Sequence, residues 1–204
     1  MQNSFQRIEM FGYPGSGKTT AMKIIQQEYP SFDIHFANFK INFFNVLSLL
    51  FFLIKKPRIL VVFKLLKHVP KSMFVIYIKT IIRFIIRLMY AQNEIKVGKS
   101  IIVDEGVLQI TWSLLLIPSV FSHKFDIEKE LNLISKKWWP KANILILYIK
   151  LTEYEYIKRI NSRDRLHFFS KAYRQKDTMF IIKGEELFER LLKLAKAKYS
   201  IKEH

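Results

Sequence analysis

The residues Gly12-Tyr13-Pro14-Gly15-Ser16-Gly17-Lys18-Thr19 have the spacing GxxxxGK[ST]. A loop of this kind is suited to holding phosphate. Its glycines let backbone N–H groups close around an anion with no Cβ in the way, and a following helix presents the positive end of its dipole. Lys18 would reach the β- and γ-phosphates and the Thr19 hydroxyl would hold Mg²⁺, with Gly12, Gly15, Ser16, Gly17 and Thr20 completing the cradle. Background residue frequencies give such a match roughly a one per cent chance in a chain of this length, so this loop outweighs every other signal.

A second group is carboxylic. Ser100-Ile101-Ile102-Val103 reads as a buried strand that delivers Asp104 and Glu105 at its end, where ligands bind in a parallel α/β sheet. Glu94 is the only other acid between Asp33 and Asp104, so the pair is not part of a generally acidic surface. One carboxylate there can orient Mg²⁺ or take the proton of an acceptor hydroxyl. A third group is cationic: Arg159, Arg163 and Arg165 follow the last expected strand, Asn143–Leu151, in a stretch suited to a mobile lid. Such arginines would neutralise charge on a phosphoryl group in transfer.

These groups need a frame to hold them. Phe5–Phe11, Phe32–Ala37, Ser100–Val103 and Asn143–Leu151 read as strands, and the intervening segments carry helical spacing. The first helix, Thr19–Tyr29, stops at Pro30; later ones run from Val107 to Pro118, over Asp126–Trp139 and over Glu185–Tyr199. Thr152-Glu153-Tyr154-Glu155 is a capping box, and the helix it opens sets Glu155, Arg159 and Arg163 on one face. Alternating strands and helices predict a three-layer α/β fold with a parallel sheet of about four strands. A helical insertion over about 40–92, broken near Pro57 and Pro70, and a lid over about 159–177 complete one domain, 1–204.

Composition narrows the function classes. The chain has 204 residues and no cysteine, which excludes disulfides, a thiol nucleophile and cysteine-held metal. Its five scattered histidines form no HExxH pair. Residues 1–10 contain no secretory h-region, so the expected compartment is the cytoplasm. The longest uncharged runs, Ile41–Ile54 and Gly106–His123, are respectively too short and too polar for a membrane span.

The formal charge is +17, from 34 Lys+Arg against 17 Asp+Glu, and the excess concentrates in residues 38–97. Lys79, Arg83 and Arg87 recur every fourth residue and form one stripe on an otherwise apolar helix. Three arrangements suit such a stripe: a core helix with one wet edge, the lining of an acceptor pocket, or a helix lying on an acidic bilayer.

The phosphate loop, the strand ending in Asp104-Glu105 and the helix-plus-lid order Leu151–Arg165 together resemble the P-loop nucleoside and nucleotide kinases, most closely the thymidylate-kinase-like branch. The resemblance implies a phosphotransferase that moves the γ-phosphoryl of Mg-ATP to a small acceptor such as a nucleoside or nucleotide. It further implies Lys18, Asp104, Glu105, Arg163 and Arg165 as catalytic residues, Arg159 at the nucleotide, Thr19 and Asp104 at the metal, and Arg83, Arg87 and Gln109 on the acceptor side. Two departures stand out. The family's strand-end acid is followed by an arginine, where this chain has Glu105, and the family's fifth strand has no counterpart expected in Lys198–His204.

A regulatory GTPase is the weaker reading, because neither DxxG after a strand nor NKxD is present. The alternatives are a membrane-surface or a nucleic-acid-associated NTPase. Charge alone favours the latter, and the basic segment lacks a repeated stacking surface for bases. The expected partner is a small-molecule acceptor rather than nucleic acid, with peripheral contact to an acidic membrane and homodimer formation left open.

Overall fold

Short apolar strands flanked by amphipathic helices have one economical way to bury both sheet faces, and the chain adopts it. The computed structural model describes Phe5 and residues 7–35, 58–96, 100–140, 143–162 and 177–203. In chain order these contain β1 (Arg7–Phe11), α1 (Lys18–Glu28), β2 (Asp33–His35), α2 (Arg58–Leu66), a 3₁₀ turn (Lys71–Met73) and α3 (Phe74–Lys96). There follow β3 (Ile101–Val103), α4 (Val107–Phe121), α5 (Ile127–Trp138), β4 (Ile144–Tyr148), α6 (Glu153–Asn161), α7 (Thr178–Lys196) and β5 (Ser200–Glu203).

The sheet order is β2-β3-β1-β4-β5, with every pair parallel. β1 is central: Arg7, Ile8 and Glu9 lie beside Ile101, Ile102 and Val103 on one side, and Arg7–Phe11 pair with Ile144–Tyr148 on the other. Its residues alternate between two layers. Ile8 and Met10 face α1, where Met22, Phe32, Ile102 and Leu145 form the smaller core. Phe11 faces the larger core, built from α2 to α5 and α7 around Trp112, Leu115, Ile134, Leu187 and Leu191. The three-layer reading is therefore correct.

Several boundaries differ from the sequence expectation, each for a physical reason. The sheet has five strands, because Ser200–Glu203 adds to β4 in register with Leu145–Tyr148. The expectation of no fifth strand in Lys198–His204 is overturned. α4 does not stop at Pro118 but continues to Phe121. Proline leaves the carbonyl four residues earlier without its helical donor, and the Tyr77 hydroxyl donates to that Leu114 carbonyl at 2.7 Å. α7 begins at Thr178 rather than near Glu185, because Asp177 caps it by accepting from the Phe180 N–H at 3.3 Å. The break at Pro70 is present, with the 3₁₀ turn following it. The part of the insertion before Arg58, including Pro57, lies outside the described residues. Among the described residues, no helix is long and apolar enough to cross a membrane.

Candidate active site

β1 runs into the loop at Gly12, and α1 starts at Lys18, so the phosphate-binding motif joins a central strand to a helix as its chemistry requires. Gly15 and Gly17 hold φ of 99° and 95°, the left-handed region that side chains disfavour. Gly12 is needed for space instead: a Cβ there would lie 2.7 Å from Ser16 Oγ and 2.8 Å from the Ile149 carbonyl. The Ser16 N–H donates to the Tyr13 carbonyl at 3.0 Å and closes the turn. Lys18 Nζ donates to the carbonyls of Gly12 and Tyr13 at 2.8 and 2.9 Å, which holds the ammonium over the loop. Thr19 and Thr20 are exposed on the first turn of α1, which has neither a side-chain cap nor an acidic residue. That helix end keeps its positive potential for an incoming anion.

The neighbouring turn, Asp104-Glu105-Gly106, connects β3 to α4. Both acids are half-buried, and Asp104 Oδ1 is fully inside. A polar cavity of about 140 Å³ opens between this turn, the phosphate loop and α3, lined by Lys18, Arg83, Glu105, Gln109 and Ser113 among others. Gln109 is buried on α4, and its Oε1 accepts from the Gly12 N–H at 3.4 Å, a long bond between the acceptor-side helix and the loop. Arg83 is exposed at the rim on α3, and Lys79 is exposed one turn earlier. Arg87 lies on the same helix, and its side chain is outside the described residues. A larger, mainly apolar cavity of about 180 Å³, lined by Ile8, Ile24, Ile25 and Leu147, lies on the α1 face, away from this chemistry.

Arg159 reaches the loop from α6. Its Nη1 donates to the Ser16 carbonyl at 2.7 Å, and a Cβ on Gly17 would come within 2.8 Å of the same nitrogen. The capping box that starts this helix is formed: the Thr152 N–H and hydroxyl donate to Glu155 Oε2 at 2.9 and 2.8 Å, and the Glu155 N–H donates to Thr152 Oγ1 at 3.3 Å. These hydrogen bonds hold the Glu155 carboxyl below its usual range, with a smaller contribution from Arg159. Arg163 and Arg165, expected in the lid, lie outside the described residues. Lys18, Glu105, Gln109 and Arg83 thus share one cavity, and Arg159 contacts the loop at Ser16.

Sequence reasoning passed over Glu9. This carboxylate is buried in the middle of β1, paired with Arg7 at 2.7 Å, and accepts the Val107 N–H at 2.6 Å. Burial pushes its carboxyl above the usual range, opposed by the Arg7 charge and the Val107 N–H. The available signal was two opposite charges at i and i+2 in an apolar strand, which places them on one face.

For a divalent metal, Thr19 and Asp104 would offer a hydroxyl and a carboxylate, the hard oxygen donors Mg²⁺ takes while retaining waters and phosphate oxygens. Among the described residues, His, Asp and Glu form no cluster of three that would cage a metal with protein groups alone. The donor set therefore fits Mg²⁺ carried with a phosphate.

No family model and no curated protein matches the chain. Solved structures do. A deoxyadenosine kinase from M. mycoides with bound dATP is similar over 97% of this chain and 90% of that one, at 14% identity and a TM-score of 0.57. The same enzyme with the products dCMP and a flexible dCDP aligns over 97% and 89%, at 14% identity and a TM-score of 0.55. At this identity the likeness establishes the fold alone, the three-layer α/β arrangement that the chain shares with this deoxyadenosine kinase.

Proposed function

We propose that the chain is a kinase that transfers the γ-phosphoryl group of Mg-ATP to the hydroxyl of a nucleoside. The observation that carries this reading is one polar cavity joining the phosphate-loop lysine, Lys18, to Glu105 and Gln109. The neighbours' activity, deoxyadenosine phosphorylation, supports the acceptor class.

Transfer of this kind needs little covalent chemistry from the protein and much positioning and charge neutralisation. The N–H groups of Gly15, Gly17, Lys18 and Thr19 would wrap the phosphates, and Lys18 would exchange the Gly12 and Tyr13 carbonyls for phosphate oxygens. Thr19 and Asp104 would hold Mg²⁺, which when bound offsets charge on the β- and γ-phosphates. Glu105 would accept the proton of the attacking hydroxyl. An acid at this position, where the resembling kinases have an arginine, suits an uncharged nucleoside better than a nucleoside monophosphate, since a carboxylate repels a second phosphate. Arg83, Arg87 and Gln109 would line the acceptor side. Arg159, Arg163 and Arg165 would close from the lid side onto the transferring group.

The test is product detection after incubation with Mg-ATP and separate deoxynucleosides and deoxynucleoside monophosphates. A 5′-monophosphate formed from a nucleoside, absent with Lys18→Ala, is the expected result. Phosphorylation of a monophosphate alone would overturn the acceptor assignment, and no transfer to any acceptor would overturn the reading.

A further inference from the structure

A charged pair buried in the central strand of a sheet needs an explanation beyond stability. Removing two charges from water costs about as much as their attraction returns, and apolar residues of the same size commonly serve as well or better. Arg7 and Glu9 are nevertheless 2% and 1% exposed in β1, side by side on the face toward α4. Arg7 Nη2 holds Glu9 Oε1 at 2.7 Å, which leaves Oε2 aimed at the start of α4. There it accepts the Val107 N–H at 2.6 Å, one of the helix donors with no partner within the helix. A negative charge at that end also matches the helix dipole.

The contact is close on the turn as well as on the helix. A Cβ on Gly106 would run into the Glu9 carboxylate and would lie 2.5 Å from Glu9 Cβ. The backbone of Gly106, at φ −78° and ψ −172°, is open to any residue, so this glycine is required for space alone. The turn that carries Asp104 and Glu105 therefore rests directly against the Glu9 side chain. Three residues beyond Glu9 the same strand enters the phosphate loop at Gly12, whose N–H donates to Gln109 on α4. Both sides of the cavity are referenced to one strand.

We infer that Glu9, fixed by Arg7, is a positioning residue: its carboxylate holds the N-terminus of α4, and with it the Asp104-Glu105 turn, at a set distance from Lys18. The catalytic consequence rests on the kinase reading above; the hold on the turn does not.

Removing Glu9 alone would leave Arg7 buried without its partner, so the test compares two double variants of the full chain that both lack the charged pair. Arg7→Met with Glu9→Gln keeps an acceptor oxygen for Val107, and Arg7→Met with Glu9→Leu removes it. Amide hydrogen exchange over residues 105–109 should be about tenfold faster in the Leu variant than in the Gln variant, with exchange in α7 alike in both. With Mg-ATP and deoxyadenosine, the Leu variant should show kcat lower by about tenfold or more, with the ATP KM within about twofold of the original. The Gln variant should recover most of that loss. Equal exchange and equal kcat in the two doubles would overturn the inference and make the pair packing only. Absence of turnover in the unsubstituted protein would count against the kinase reading, and exchange over 105–109 would still decide for or against Glu9.

Discussion

Two helices begin at the carboxyl end of the sheet, within reach of one cavity, and their N-termini are finished in opposite ways. α1 opens at Gly17 with no side-chain cap and no acid in its first turn. α4 opens at Gly106 with its first N–H taken by the buried Glu9 carboxylate. A helix N-terminus attracts an anion unless something else has satisfied it. One end is thus left for a phosphate and the other is closed by the protein itself. The two glycines differ accordingly: Gly17 is there for its positive φ, Gly106 for the room that Glu9 takes.

The open end can be broken outright. Lys18→Ala should lower phosphoryl transfer by about a thousandfold or more, because Lys18 supplies charge to the phosphates. Thermal denaturation should change little, since the Lys18 ammonium donates to carbonyls of its own loop.

Next in size is the turn at the closed end. Asp104→Asn should cut kcat by about a hundredfold, and titration of Mg²⁺ separates its role from that of Glu105. Excess Mg²⁺ should recover part of the Asp104→Asn loss and none of the Glu105→Gln loss; the opposite pattern would exchange their roles.

The two glycines sharpen the comparison further. Gly106→Ala should cost about 2 kcal/mol through overpacking against Glu9. Gly17→Ala should cost about 1 kcal/mol through its backbone and should also weaken ATP binding, by displacing Arg159. Urea unfolding together with nucleotide titration distinguishes them: only Gly17→Ala should change the ATP affinity.

The smallest effect belongs to α6, an N-terminus closed by its own capping box. Thr152→Ala should lower Tm by less than about 3 °C at neutral pH. The Glu155 carboxyl is held below its usual range, so its contribution is present above the unfolded carboxylate pKa and is lost as pH falls through the folded value. The Tm difference between Thr152→Ala and the original should therefore shrink between about pH 7 and about pH 3. A constant difference would mean that Glu155 takes no part.

How much of this was legible in the sequence varies by region. The phosphate loop was, because its backbone conformation demands particular residues at particular places. The capping box was too, because its partners are three residues apart. β5 was not: Ser200-Ile201-Lys202-Glu203 has one apolar residue, and its pairing with β4 is a long-range contact that no local pattern announces. Gly184, one residue before the expected helix start at Glu185, lies buried inside α7, where its carbonyl accepts the Trp112 indole N–H at 2.9 Å. Glu9 escaped for the same reason as β5, since its partner Val107 is 98 residues away. Local chemistry could be read along the chain; what the sheet brings together could not.

The central claim is that α1, and not α4, is the phosphate-binding helix end. Calorimetric titration of the protein with Mg²⁺ and a nonhydrolysable ATP analogue tests it most directly. The account predicts a single site, weakened by about tenfold or more in Lys18→Ala and unchanged in the Arg7→Met, Glu9→Leu double variant. Binding that Lys18→Ala leaves intact, or binding that the Arg7→Met, Glu9→Leu double variant weakens as much as Lys18→Ala does, would contradict it.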